Sequence, residues 1–126
     1  MQKDIFETSG APAPIGPYSQ AVGVGNMVFL SGQIALDPVS GELLLDSIQT
    51  ETKQVMQNIQ AVLQSANLGW ENVVKTSIFL KDMNDFTAVN DVYGSYFDDG
   101  FPARETVQVS VLPKNVNVEI SVIACR

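Results

Sequence analysis

The sequence contains no histidine and a single cysteine. Without histidine there is no Ser-His-Asp or Cys-His nucleophile system, no histidine-ligated zinc, and no side chain whose ordinary pKa lies near neutrality. One thiol cannot build an intrachain disulfide framework, and Cys125, the penultimate residue of an alternating apolar run, reads as a small strand-end hydrophobe rather than a reactive group. Basic residues are also scarce: 7 Lys and Arg stand against 14 Asp and Glu, a net charge of −7. That balance argues against nucleic acid or an anionic membrane as a partner. Apolar runs such as Met27 to Leu30 are far too short to cross a bilayer. The opening residues, Met1 to Glu7, carry neither the basic-then-apolar architecture nor the small-residue cleavage site of a signal peptide. The expectation is a soluble protein of a reducing compartment, the cytoplasm. No Gly-rich phosphate loop, metal-ligand cluster, repeat or low-complexity run is present.

What is there fits one domain over residues 1–126, with 45% hydrophobic and 17% charged residues. The hydrophobic period predicts a short strand over Lys3 to Thr8, then a stiff loop at Ala11 to Pro17, where three prolines forbid helix and disfavour sheet interior. Tyr18 to Val24 and Met27 to Ser31 read as a hairpin turned at Gly25-Asn26. A helix is predicted from Ile48 to Ala66, with Ile48, Val55, Met56, Ile59, Val62, Leu63 and Ala66 on one face. Asp46 and Gln49 would form its capping box, and Asn67 and Gly69 its stop. A strand over Val73 to Lys81 precedes a second helix from Asn84 to Phe97, whose apolar side is Phe86, Val89, Tyr93, Tyr96 and Phe97. Strands over Glu105 to Leu112 and Val116 to Cys125 follow, joined at Pro113-Lys114-Asn115. The order β-β-β-α-β-α-β-β defines an α+β fold.

Alternation in the last strand puts Val118, Ile120, Val122 and Ala124 on one side and Asn117, Glu119, Ser121, Ile123 and Cys125 on the other. This second face is neither cleanly polar nor cleanly apolar, a mixture that points to burial against another subunit. Two charged residues stand out in strand positions. Arg104, after the rigid Phe101-Pro102-Ala103 lead-in, is either a fork for a substrate carboxylate or half of an ordinary salt bridge, with Glu105 the nearest candidate. Glu119 is either a desolvated base that orients water or a plain exposed strand residue. Tyr18, Ser31 and Asn90 each offer a polar group to a ligand, and each has an equally ordinary reading as a core-packing, strand-end or exposed helix residue.

Several ordered segments combine into a specific pattern: Ile15-Gly16-Pro17-Tyr18-Ser19-Gln20-Ala21, Phe29-Leu30-Ser31-Gly32-Gln33-Ile34, Val74-Lys75-Thr76, Phe79 to Phe86, Val89-Asn90 and Phe101-Pro102-Ala103-Arg104. Through nearly the whole chain this pattern resembles the YjgF/YER/UK (Rid) family of reactive intermediate deaminases, closest to the RidA-type subgroup. The resemblance implies a chorismate-mutase-like fold, one mixed sheet with two helices on one face. It also implies a homotrimer with a central barrel-like core and clefts between subunits. The implied reaction is hydrolysis of short-lived enamines and imines, such as 2-aminoacrylate, 2-iminopropanoate and 2-iminobutanoate, to 2-keto acids and ammonia, sparing pyridoxal phosphate enzymes from damage. No metal or organic cofactor is implied. By position, Arg104 matches the carboxylate-binding arginine and Glu119 the glutamate near the attacking water. Tyr18, Ser31 and Asn90 match cleft residues, and Gly32 the glycine beside the cleft serine. The chain departs from the family pattern after the arginine, where Glu105 and Thr106 replace a small residue and a cysteine. That excludes a cysteine nucleophile, leaves the Thr106 backbone N–H as a substrate contact, and sets a carboxylate beside Arg104. An alternative of another class is a trimer that senses a keto or imino acid, or offers an interaction or chaperone-like surface, without turnover.

Overall fold

The computed structural model describes residues 2–126. Six strands and two helices follow in the predicted order: β1 (Asp4–Phe6), β2 (Ala21–Val24), β3 (Met27–Leu30), α1 (Ile48–Ser65), β4 (Val73–Leu80), α2 (Phe86–Gly94), β5 (Ala103–Gln108) and β6 (Val118–Cys125). The strands form one mixed sheet in the order β1-β2-β3-β6-β4-β5. Only β4 and β5 run parallel, because α2 supplies the crossover that a parallel pair requires. Both helices cover one sheet face, and the other face stays open.

Helix α1 forms because Val55, Met56, Ile59, Val62 and Leu63 recur at helical spacing, and all five are fully buried. Each such burial is worth about 1.5 to 3 kcal/mol, so the stripe outweighs any end effect. The ends still fix the boundaries. The N-cap is Ser47, not Asp46: its extended backbone sets Oγ to accept from Thr50 N at 3.0 Å. At the other end Asn67 takes a left-handed φ of 59°, Asn67 N donates to Gln64 O, and Leu68 N donates to Leu63 O. This is a Schellman closure, at the Asn67 stop the sequence predicts.

Two elements differ from their predicted extents. Helix α2 is shorter than Asn84 to Phe97, since a single 3-10 turn over Met83–Asp85 precedes it and Tyr96 and Phe97 pack on the core from the turn that follows. Strand β5 spans Ala103–Gln108 rather than Glu105 to Leu112. Its register begins at Lys75↔Ala103 and ends at Leu80↔Gln108, so it stops where its partner β4 stops. The other strands match to within a few end residues, and Tyr18 to Gln20 fall in the loop before β2.

Three buried polar side chains tie loops to this frame. Glu51 on α1 accepts from Asn117 N and Asn117 Nδ2 at 2.7 Å each and from Val118 N at 3.1 Å, fixing the start of β6. Asn58 Nδ2 donates to Ile34 O and Leu36 O, both at 3.0 Å, holding the chain that leaves β3. Gln20 accepts from Thr8 N at 2.7 Å and donates to Pro12 O at 2.8 Å, pinning the proline loop.

Candidate active site

All the predicted site residues except Thr106 fall into two groups. Tyr18, Ser31, Gly32 and Glu119 line a cavity of about 500 Å³ together with Ile15, Ile34, Pro113 and Lys114. The Gln20-pinned loop delivers Tyr18, which is half exposed. Ser31 ends β3, and its Oγ donates to Ser19 O at 2.6 Å. Gly32 packs directly on the Glu119 carboxylate, and a Cβ there would come within 2.9 Å of its Cδ. Any larger residue would shift that carboxyl group. Half-burial pushes the Glu119 pKa above its ordinary value, because desolvation disfavours the charged form.

Asn90 and Arg104 line a second cavity of about 330 Å³ with Tyr93, Gly94, Phe101 and Pro102. Arg104 Nη1 donates to Asn90 Oδ1 at 2.7 Å, and the guanidinium carbon lies 5.6 Å from the Phe86 ring centre and 5.2 Å from that of Tyr93. Tyr93 is itself fixed, its hydroxyl donating to Thr76 Oγ1 at 2.9 Å. Burial raises the Tyr93 pKa, opposed by that hydrogen bond and by the Arg104 charge. Among the described residues no carboxylate pairs with Arg104.

Glu105 is not the partner of Arg104. The next residue along a strand points to the opposite face, where Glu105 pairs with Lys75 at 3.0 Å and accepts from the Ser77 hydroxyl. Those two contacts hold its pKa below the usual carboxylate value. Arg104 lies opposite Thr76 and Thr106 opposite Ile78, and both partners are fully buried on the helix-covered face. Thr106 lines neither cavity, and its buried hydroxyl has no hydrogen-bond partner among the described residues. Glu119 lies opposite Phe79 on the open face. The structure therefore brings Tyr18, Ser31, Gly32 and Glu119 together, and Asn90 with Arg104, but holds the two sets on opposite faces of one sheet.

The family model described as Endoribonuclease L-PSP matches residues 8–126. The chain belongs to this family, the YjgF/RutC family. A RutC family protein of Synechocystis is 52% identical, over 98% of this chain and 97% of the relative. A goat protein named 2-iminobutanoate/2-iminopropanoate deaminase is 50% identical, over 100% of this chain and 92% of its own. The crystal structure of E. coli TdcF with bound serine superposes with a TM-score of 0.93 at 42% identity, covering 98% of both chains. The mixed sheet with two helices is thus the YjgF fold.

Other residues of this YjgF/RutC chain also shape the site without standing out in the sequence. Lys114 reaches the first cavity from a turn in which it and Asn115 both take left-handed φ, 54° and 56°. Gln20 and Glu51 position the two walls. A polar residue in a loop and one in an amphipathic helix carry no local signal for this, because their partners lie 8 to 12 and 66 to 67 residues away. Among the described residues, no three His, Cys, Asp or Glu side chains gather where they would hold a metal ion, and no helix is long and apolar enough to cross a membrane.

Proposed function

We propose that this chain, acting as one domain, hydrolyses 2-imino acids of the 2-iminopropanoate and 2-iminobutanoate type to 2-keto acids and ammonia. It does so without a cofactor, at clefts shared between subunits of a cytoplasmic homotrimer, and removes the reactive species before it damages pyridoxal phosphate enzymes. The observation that carries this reading is Arg104. In a chain of net charge −7, its guanidinium is held by a neutral amide and two aromatic rings rather than by a carboxylate. Such a cation is matched to a ligand carboxylate, which it meets through two parallel hydrogen bonds. The deaminase name of the goat relative and the bound serine of the E. coli neighbour agree with a small amino-acid-like ligand.

The reaction demands little of the protein. An imine carbon is already electrophilic, so fixing the carboxylate and delivering one water supplies much of the rate through orientation. Glu119, as the carboxylate, accepts a proton from the attacking water while the oxygen bonds to the imine carbon. That proton passes to nitrogen to give the carbinolamine, and the carbinolamine hydroxyl proton then moves by way of Glu119 to the same nitrogen as the carbon–nitrogen bond breaks, so that ammonia leaves and the carbonyl forms. A desolvated carboxylate of raised pKa is a better base for this step than an exposed one.

The opposite-face placement of Arg104 and Glu119 supports the trimer, since no single chain closes a site that uses both. The open face that carries Glu119 also displays the exposed Phe29 and Val107, a partly apolar surface suited to another copy. A Glu105 that competed with substrate for Arg104 would favour sensing without turnover, but Glu105 pairs with Lys75 and Ser77 on the opposite face. Coupling a threonine dehydratase to the purified protein and following imine loss tests the reading. Arg104→Ala removes a charged ligand contact of about 2 to 5 kcal/mol and is expected to lose nearly all acceleration. An Arg104→Ala variant as active as the parent, or RNA cleavage by the parent with no effect on the imine, would overturn it.

A further inference from the structure

We infer that Phe86 and Tyr93 are positioning residues for Arg104, forming with Asn90 a cradle on α2 that orients the guanidinium while leaving its charge available to the ligand. This rests on the reading that Arg104 takes the substrate carboxylate. Phe86, Asn90 and Tyr93 occupy positions i, i+4 and i+7 of α2, so they share one stripe of the helix. That stripe lies against Arg104: two ring centres at 5.6 and 5.2 Å, and the amide oxygen at 2.7 Å.

The chemistry of the cradle is selective. A guanidinium left to itself samples many rotamers, and the common way to fix one is an ion pair. A carboxylate in that role would neutralise the charge and occupy the paired N–H edge that a substrate carboxylate needs. Aromatic faces attract the cation through their quadrupole at this range and take no in-plane N–H group. Asn90 accepts from one of the five N–H groups, and among the described residues no other side chain accepts from the guanidinium. Arg126 shows the contrast within the same molecule: it too lies over a ring, Phe6 at 6.0 Å, but it pairs with a carboxylate, Asp4, at 2.8 Å.

The cradle is also anchored. Tyr93 is tied to Thr76, the β4 residue opposite Arg104, and the Phe97 ring packs on it at a tilt, 5.0 Å between centres, with Trp70 edge-on 5.4 Å beyond. Phe86, by contrast, is partly exposed and can be changed without opening the core.

The test compares parent, Phe86→Leu, Phe86→Met, Phe86→Tyr and Arg104→Ala in 2-ketobutyrate calorimetry and in the dehydratase-coupled assay. Phe86→Leu and Phe86→Met are expected to raise Kd and KM about threefold to tenfold at unchanged melting temperature, and Phe86→Tyr to restore both. If Leu and Met variants bind as the parent does while Arg104→Ala abolishes binding, the cradle is refuted and the carboxylate reading stands. Losses that track melting temperature and are not restored by Phe86→Tyr also refute it. Unchanged binding by Arg104→Ala overturns the carboxylate reading and the cradle with it.

Discussion

Glycine at position 32 matters for what it makes room for. Because the Glu119 carboxylate occupies the space of the missing Cβ, Gly32→Ala must displace that group. The expected outcome is a fall in kcat of about tenfold or more at little change in stability, and a double-mutant cycle with Glu119→Ala that is strongly non-additive, because both changes remove the same placement. Burial of Glu119 has two opposed consequences. With Glu119 as the proposed base, activity requires the ionised form, so kcat/KM should fall as pH drops through a pKa above the ordinary carboxylate value, and Glu119→Gln should abolish activity along with that limb. Stability runs the other way. The folded state holds the proton more tightly than the unfolded chain, so stability is full below the unfolded pKa and declines as pH rises through the folded one. Glu119→Gln is therefore expected to melt higher than the parent at neutral pH, measured by calorimetry across pH 4 to 8.

At the scale of elements, the link from α1 to β6 is the one to cut. Glu51→Ala leaves the N–H groups of Asn117 and Val118 without their buried acceptor and is expected to cost about 2 to 4 kcal/mol in denaturant unfolding. Ser47→Ala, which removes one exposed cap bond, is expected to cost about 1 kcal/mol. These elements also show what the sequence makes legible. The α1 stripe and the β6 alternation are periodic, and the Asn67 stop is local, so all three can be read directly. The end of β5 cannot, because it is decided by the length of β4, a partner far along the chain. The cap shifts by one residue because Asp46 and Ser47 are both good caps and only backbone geometry selects between them. For the site, local pattern marks Arg104 and Glu119 as unusual strand charges. It does not show that Glu105 turns to Lys75 and Ser77, nor that Phe86 and Tyr93, which look like plain core residues, face a cation.

At the scale of the whole molecule, the shared-cleft reading makes a prediction that a one-chain site does not. Arg104→Ala and Glu119→Ala each spoil a different wall. Mixed by co-refolding in equal amounts, the two inactive variants should regain activity at about one interface in four, where an intact Arg104 meets an intact Glu119 from a neighbour. Light scattering of the parent should give the mass of three chains, and a monomer at micromolar concentration would remove the cleft. On the shared-cleft reading, a sheet that carries its cation on one face and its base on the other also ties output to dose. Halving the amount of such a protein near its assembly threshold removes more than half of the capacity, because chains without neighbours contribute nothing. Specific activity measured on dilution should then fall along a cooperative curve, so that abundance itself acts as the control on how fast the reactive imine is cleared.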